Sequence, residues 1–182
     1  MASLIPSGSA SGTGSMTLAA PVTNSNQTVT LPDATGVAMV SGNMPAFSVN
    51  ATGGQSCANS TYTKIQFNSE TFDTANCFDS TTNYRFTPNV AGYYQINGVG
   101  AFNGSALGYT SFAIYKNGSN YIQSGGTNNT TFGGITTISD VVYLNGSTDY
   151  VELYIAQTSG GALTLQSSAN ANRFSGCLVR TA

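Results

Sequence analysis

The chain has 182 residues and net charge −2; 40% of it is hydrophobic and only 7% charged, against a typical ~25% charged. A packed core is therefore within reach, and the few-apolar, many-charged signature of a disordered chain is missing. With no basic run, and no stretch of ~18 apolar residues, neither nucleic acid nor a membrane is an expected partner.

Met1 to Gly14 has no positive segment followed by an apolar one, so no secretory leader is expected. Residues 1–43 contain no Tyr or Phe. Ser7 to Ser15 is Gly/Ser-rich and flexible by composition. Three short apolar pieces follow. Met16-Thr17-Leu18 precedes a break at Pro21, Thr28-Val29-Thr30-Leu31 alternates and stops at Pro32, and Val37-Ala38-Met39-Val40 closes the group. Each is too short to bury a core alone. The stretch is read as an extended anchor arm, 1–43, that pairs with other chains through Met16, Leu18, Val29, Leu31, Val37 and Val40. The competing reading is a plain linker.

From Pro45 the pattern is all-β, and residues 44–182 form one expected domain. Ala46-Phe47-Ser48-Val49 opens it. Thr63 to Phe67 alternates polar and apolar. Tyr84-Arg85-Phe86 runs into Pro88-Asn89. Gly92 to Phe102 is a long strand whose glycines let another group come close. Ser111 to Tyr115 and Tyr121 to Gln123 flank Asn117-Gly118, a strong hairpin signal because both residues accept positive φ. Gly134 to Leu144 leads to Asn145-Gly146, a second hairpin signal, and Tyr150 to Ile155 again has a period of two. Ala162 to Gln166 and Arg173 to Val179 follow. Eight to ten strands with no amphipathic helix predict a sandwich or jelly roll.

The chain has no histidine, so a Ser-His-Asp or Cys-His arrangement is impossible. Asp149 and Glu152 are three positions apart and point to opposite faces of one strand, which is wrong for a paired-carboxylate site. No enzymatic activity and no cofactor are expected. Asp73, Asp79, Asp140 and Asp149 are the realistic calcium donors, although turn aspartates are the simpler reading. Cys57, Cys77 and Cys177 have no CxxC spacing for zinc. Cys57 and Cys77 either pair or remain buried thiols. Tyr109, Tyr121 and Asn128 to Thr131 are candidates for a glycan-binding surface; packing is the alternative for each ring.

Several motifs then fall in a familiar order. Pro45-Ala46-Phe47-Ser48 resembles the opening strand of C1q-like domains. Gly92-Tyr93-Tyr94 with Ile96 is similar to their G-x-Y-x-F strand, and Ile114-Tyr115-Lys116-Asn117-Gly118 to their L-x-K-N-G hairpin. Val142 to Gly146 through Tyr150 to Leu153 resembles the L-x-x-G-D-x-V-x-L pair, with Ser147-Thr148-Asp149 in place of the tight Gly-Asp. Phe174-Ser175-Gly176-Cys177-Leu178-Val179 resembles the terminal F-S-G-F-L strand, with Cys177 where an aromatic is usual. The resemblance covers 45–182. It implies a ten-stranded C1q/TNF-like jelly roll that trimerises about an apolar axis, for which Tyr94, Ile96, Phe174, Cys177 and Val179 are the candidates.

Gly14 to Pro21 followed by Gln27 to Gly36 resembles a segment of bacteriophage structural proteins. Together the resemblances imply a non-enzymatic virion surface protein assembled in the host bacterial cytoplasm. The expected form is a homotrimer that decorates or cements the capsid, with its arms on other virion proteins, the major capsid protein first. The alternative is the knob of a short tail fibre, its partner a host receptor or surface glycan. The short arm favours the capsid.

Overall fold

A computed structural model of the chain describes residues 11–14, 17, 19, 22, 24–26, 28, 39–103, 108–124, 127–128 and 135–182. The chain divides into two units, 1–36 and 37–182. In the first, every described residue is exposed. Of the expected arm contacts, Met16, Leu18, Val29, Leu31 and Val37 lie outside the described residues. Val40 is exposed and precedes a short 3-10 turn, Ser41–Asn43, in which its amide donates to Asn43 Oδ1 at 2.8 Å. Met39 packs against the core of the second unit, so the chain joins the domain a few residues before the boundary expected after residue 43.

The second unit is built almost entirely of strands. Those among the described residues are β1 (Ala46–Asn50), β2 (Ser56–Cys57), β3 (Thr63–Lys64), β4 (Ser69–Asp73), β5 (Phe78–Asp79), β6 (Arg85–Phe86), β7 (Gly92–Gly100), β8 (Tyr109–Lys116), β9 (Ser119–Gln123), β10 (Thr127–Asn128), β11 (Thr136–Leu144), β12 (Val151–Gln157), β13 (Leu163–Thr164) and β14 (Arg173–Thr181). They exceed the ten expected because several are two-residue ladders. One sheet has the order β11-β7-β14-β1-β4. The other runs β10-β8-β12-β6-β5, with β9 paired to β8 and β3 to β12. Neighbours are antiparallel and mostly non-consecutive in sequence, the crossing pattern of a jelly roll.

The period of two decides which side of each strand is dry. On β7, Tyr94, Ile96 and Gly98 face inward, while Tyr93, Gln95, Asn97 and Val99 face outward. β11 alternates likewise, with Ile138, Val142 and Leu144 inward. Val151, Leu153 and Ile155 of β12 close the core from the other sheet. At Gly98 the two layers come close together. A Cβ there would stand 2.6 Å from Leu153 Cδ2 and 3.1 Å from Ile138 Cγ2.

The centre of the core is aromatic. The Phe47 ring stacks on Phe86 at 4.3 Å and on Phe78 at 5.3 Å, and Phe174 meets it edge-on at 5.0 Å. Phe67 lies 5.4 Å from Phe174, and Tyr94 5.5 Å from Phe86. The buried Tyr94 hydroxyl donates to Val90 O at 2.7 Å, which satisfies its polar end.

The two Asn-Gly signals behave differently. Asn117 (φ 53°) and Gly118 (φ 77°) make the tight β8–β9 hairpin, as the sequence predicts. Asn145-Gly146 does not make a hairpin. β11 belongs to one sheet and β12 to the other, so this turn crosses between layers. Asn145 Oδ1 accepts from the amides of Ser147 (3.0 Å), Thr148 (2.9 Å) and Asp149 (2.9 Å), which shapes a wider loop.

The aromatic centre gives a first test. Phe47→Ala is expected to cost roughly 3–5 kcal/mol in urea unfolding, because several rings lose their common partner. A loss below ~1 kcal/mol would show that the cluster does not join the sheets.

Candidate functional site

The outward faces of the two sheets are dressed differently. On the β10-β8-β12-β6-β5 sheet much is already covered. Tyr115 stacks on Tyr154 at 3.8 Å, and the Tyr62 hydroxyl is 2.7 Å from Ser111 Oγ. Lys64 Nζ reaches buried Glu152 Oε1 at 3.0 Å. Burial first, then the neighbouring Glu152 charge, pushes the Tyr154 hydroxyl up to about 12.

On the other sheet, β11-β7-β14-β1-β4, large apolar side chains of the outward face are open among the described residues. Tyr93 and Tyr143 lie across the β7–β11 ladder with ring centres 5.5 Å apart. Val141 and Val179 point outward beside them, and Phe72 lies opposite Ser48 on the β4 side. These five side chains are 40–54% exposed. Between them Gln95 Nε2 donates to Ser139 Oγ at 2.8 Å, and Ser139 Oγ donates to Asn97 Oδ1 at 2.9 Å. Cys177, opposite Gln95, is an exposed thiol. The face is thus large rings and valines around a neutral polar centre, with Arg173 and, opposite Tyr93, Arg180 also on β14. Apolar patches of this kind on a sheet mark contact surfaces.

This geometry separates the residues proposed for a threefold axis. Cys177 and Val179 do lie on the open face. Tyr94, Ile96 and Phe174 do not; each is fully buried between the sheets of its own chain and has no surface to offer another. Their outward neighbours Tyr93, Gln95, Asn97 and Ser175 lie on the open face instead. The signal was available: Gly98 shares a phase with Tyr94 and Ile96, whereas polar Gln95 and Asn97 share the other.

The acids do not gather. Asp73 accepts from the amides of Ala75 (3.3 Å) and Phe78 (2.7 Å). Asp79 accepts from the amides of Thr81, Thr82 and Asn83 and from Asn83 Nδ2. Asp140 binds the amide of Val141, and Asp149 pairs with Lys116 at 3.1 Å and Asn117 at 2.8 Å. Among the described residues no group of three or more His, Cys, Asp or Glu could hold a metal ion. Cys57 and Cys77 are free buried thiols, not a disulfide, and burial pushes the Cys57 thiol up to about 11. Tyr109 and Tyr121, both exposed, stand well apart along the β8–β9 pair. Tyr121 lies near the Ile114–Tyr115 bulge, five or six residues along β8 from Tyr109, or roughly 17–20 Å. Of their partner loop, residues 129–131 lie outside the described residues.

The two-sheet geometry has solved counterparts. The globular domain of zebrafish complement 1qA is 19% identical, with TM-score 0.52 over 76% of this chain and 99% of that one. Murine APRIL is 8% identical, with TM-score 0.58 over 75% and 99%. The PRD1 vertex protein P5 is 17% identical, with TM-score 0.55 over 75% and 97%. No protein-family model and no curated protein matches the sequence. The chain therefore carries an all-β jelly roll of the C1q/TNF type. The vertex protein places that fold in a phage particle as well as in animal proteins.

Asp79 yields a pH test. Its backbone bonds hold the carboxyl well below the usual value, which is about 3.9 in an unfolded chain. The folded form is the lower of the two, so its stabilisation is complete above about pH 4 and lost as pH falls below that. Asp79→Asn is expected to lower stability at pH 7 and to flatten the fall in urea midpoint between about pH 4 and 2. Parallel curves for the two proteins would contradict this.

Proposed function

We infer that this chain is a non-enzymatic structural protein of a phage virion. It works as a homotrimer and decorates or cements the capsid. The observation that carries the reading is the uncovered outward face of the β11-β7-β14-β1-β4 sheet. A monomer would leave Tyr93, Tyr143, Val141, Val179 and Phe72 in water. Full burial of such a side chain contributes roughly 1.5–3 kcal/mol, and about half remains to be gained here. Five per protomer give several kcal/mol against the cost of association. The fold shared with C1q/TNF domains, which are homotrimeric, supports the same arrangement. The likeness to the PRD1 vertex protein supports a place on a particle.

The arm, 1–43, supplies the attachment in this reading. Its short alternating pieces suit strand addition to a neighbouring coat subunit. Three arms on one rigid trimer turn weak contacts into tight binding. Copies per virion distinguish decoration from a fibre knob: hundreds fit the first, about a dozen the second.

Two outcomes are expected. In sedimentation at micromolar concentration the full chain runs as a trimer, and its mass does not change between low and high salt, because the large side chains to be buried on the face are apolar or uncharged. The double variant Tyr93→Glu, Val141→Glu runs as a folded monomer. A monomeric parent chain would end the trimer proposal. Separately, deleting 1–43 should leave the trimer intact but abolish its binding to capsids stripped of the protein. Undiminished binding would remove the arm from the mechanism.

A further inference from the structure

At the β4 margin of the sandwich, away from the β7–β11 ladder, lies a groove of about 170 Å³ lined by Gly53, Gly54, Gln55, Gln66, Asn68 and Tyr84. No charged side chain lines it. We propose that this groove is a binding site for one ring of a neutral saccharide, with Tyr84 as its wall and the Gln66 and Asn68 amides as its polar contacts.

Tyr84 stands in the left-handed region, at φ 51°, where a bulky residue is a genuine outlier. Both of its neighbours are pinned. Asn83 is held by Asp79 and by Lys64 Nζ, which donates to its carbonyl at 3.1 Å. Arg85 lies 4.2 Å over the Tyr150 ring. The backbone between two fixed points is therefore forced, and the tyrosine is held rigidly at the groove. Strain of this kind concentrates at binding sites.

The polar groups divide into two sets. Gln55 is structural: its Oε1 accepts from the Gln66 amide at 3.0 Å and its Nε2 donates to Lys64 O at 2.7 Å. Asn68 Oδ1 accepts from the amide (3.0 Å) and hydroxyl (3.0 Å) of Thr52, which fixes that side chain with Nδ2 left over. Among the described residues, Asn68 Nδ2, the side-chain amide of Gln66 (unlike its backbone N–H) and the Tyr84 hydroxyl have no protein partner. They supply donors and acceptors without charge, which is what sugar hydroxyls need, and an aromatic ring suits the apolar face of a pyranose. A peptide strand is disfavoured. The backbone groups it would pair with, Gln66 N and Lys64 O, are already taken by Gln55. The space beside Gly53 is open, since a Cβ there would meet nothing within 4 Å.

The site is small and shallow, so a single ring should bind weakly, with a dissociation constant on the order of millimolar. The test uses the full chain and saturation-transfer NMR. The probes are methyl α-D-glucopyranoside, methyl α-D-mannopyranoside, methyl β-D-galactopyranoside and N-acetylglucosamine. N-acetylneuraminic acid, glucose 6-phosphate and a tetra-alanine peptide are the controls. Transfer is expected to at least one neutral sugar and to none of the controls. Gly53→Leu should fill the groove and Tyr84→Gly should remove its wall, each weakening binding about tenfold or more. Tyr84→Gly also relieves the strained φ, so its melting temperature should not fall. Gly53→Leu keeps the test alive should that variant misfold. The proposal is overturned if no neutral sugar responds at tens of millimolar, if the charged sugars or the peptide respond instead, or if both folded variants bind like the parent. None of these readouts depends on the trimer, so failure here leaves the proposed assembly standing.

Discussion

The contact on which the rest of the domain depends is the stack of rings between the sheets. Phe47 from β1 lies against Phe86 and Phe78 of one sheet and Phe174 of the other. Aromatic pairs contribute beyond their buried area when they meet face-to-face with offset or edge-to-face, and both arrangements occur here. With two salt bridges among the described residues, Lys64–Glu152 and Lys116–Asp149, charge does little of the holding. Removing water from rings and branched aliphatics is the main source of stability.

The same alternation that fills the core determines what is left outside. A strand cannot bury both phases unless it is covered on both faces. On β7 and β11 the inward phase is Tyr94, Ile96, Ile138, Val142 and Leu144, and the outward phase still contains tyrosines and two valines. A sheet that stays apolar on its second face behaves like half of a core. Its polar centre of Gln95, Ser139 and Asn97 is internally bonded, which lowers the desolvation penalty of covering it. On the opposite sheet Tyr115 packs against both Tyr62 and Tyr154.

Much of this was legible in the residues. The alternating runs became strands, and Asn117-Gly118 became a hairpin because its two positive φ values have few other residues to supply them. The phase of β7 was harder. Tyr93 and Tyr94 are adjacent and alike, and only the polar Gln95 and Asn97 against Gly98 separate the faces. Asn145-Gly146 misled because a turn residue reports local φ, not which sheet the next strand enters. The groove beside Tyr84 had no linear signature at all. Its residues come from 53–55, 66, 68 and 84, brought together across segments that Asp79, Lys64 and Gln55 tie down by hydrogen bonds.

The position of β14 has a consequence for how the protein is made. Arg173–Thr181 is the last strand in sequence yet lies between β1 and β7, in the middle of its sheet. Until this strand is in place, β1 and β7 have open edges and Phe47 lacks Phe174. Ladders of such long sequence separation close late, and a half-built sheet is prone to pair with its neighbours. The nascent chain therefore cannot complete this domain in stages. Folding of the domain must wait for Arg173–Thr181, and a polypeptide lacking those residues would lose the centre of the sheet, not its margin.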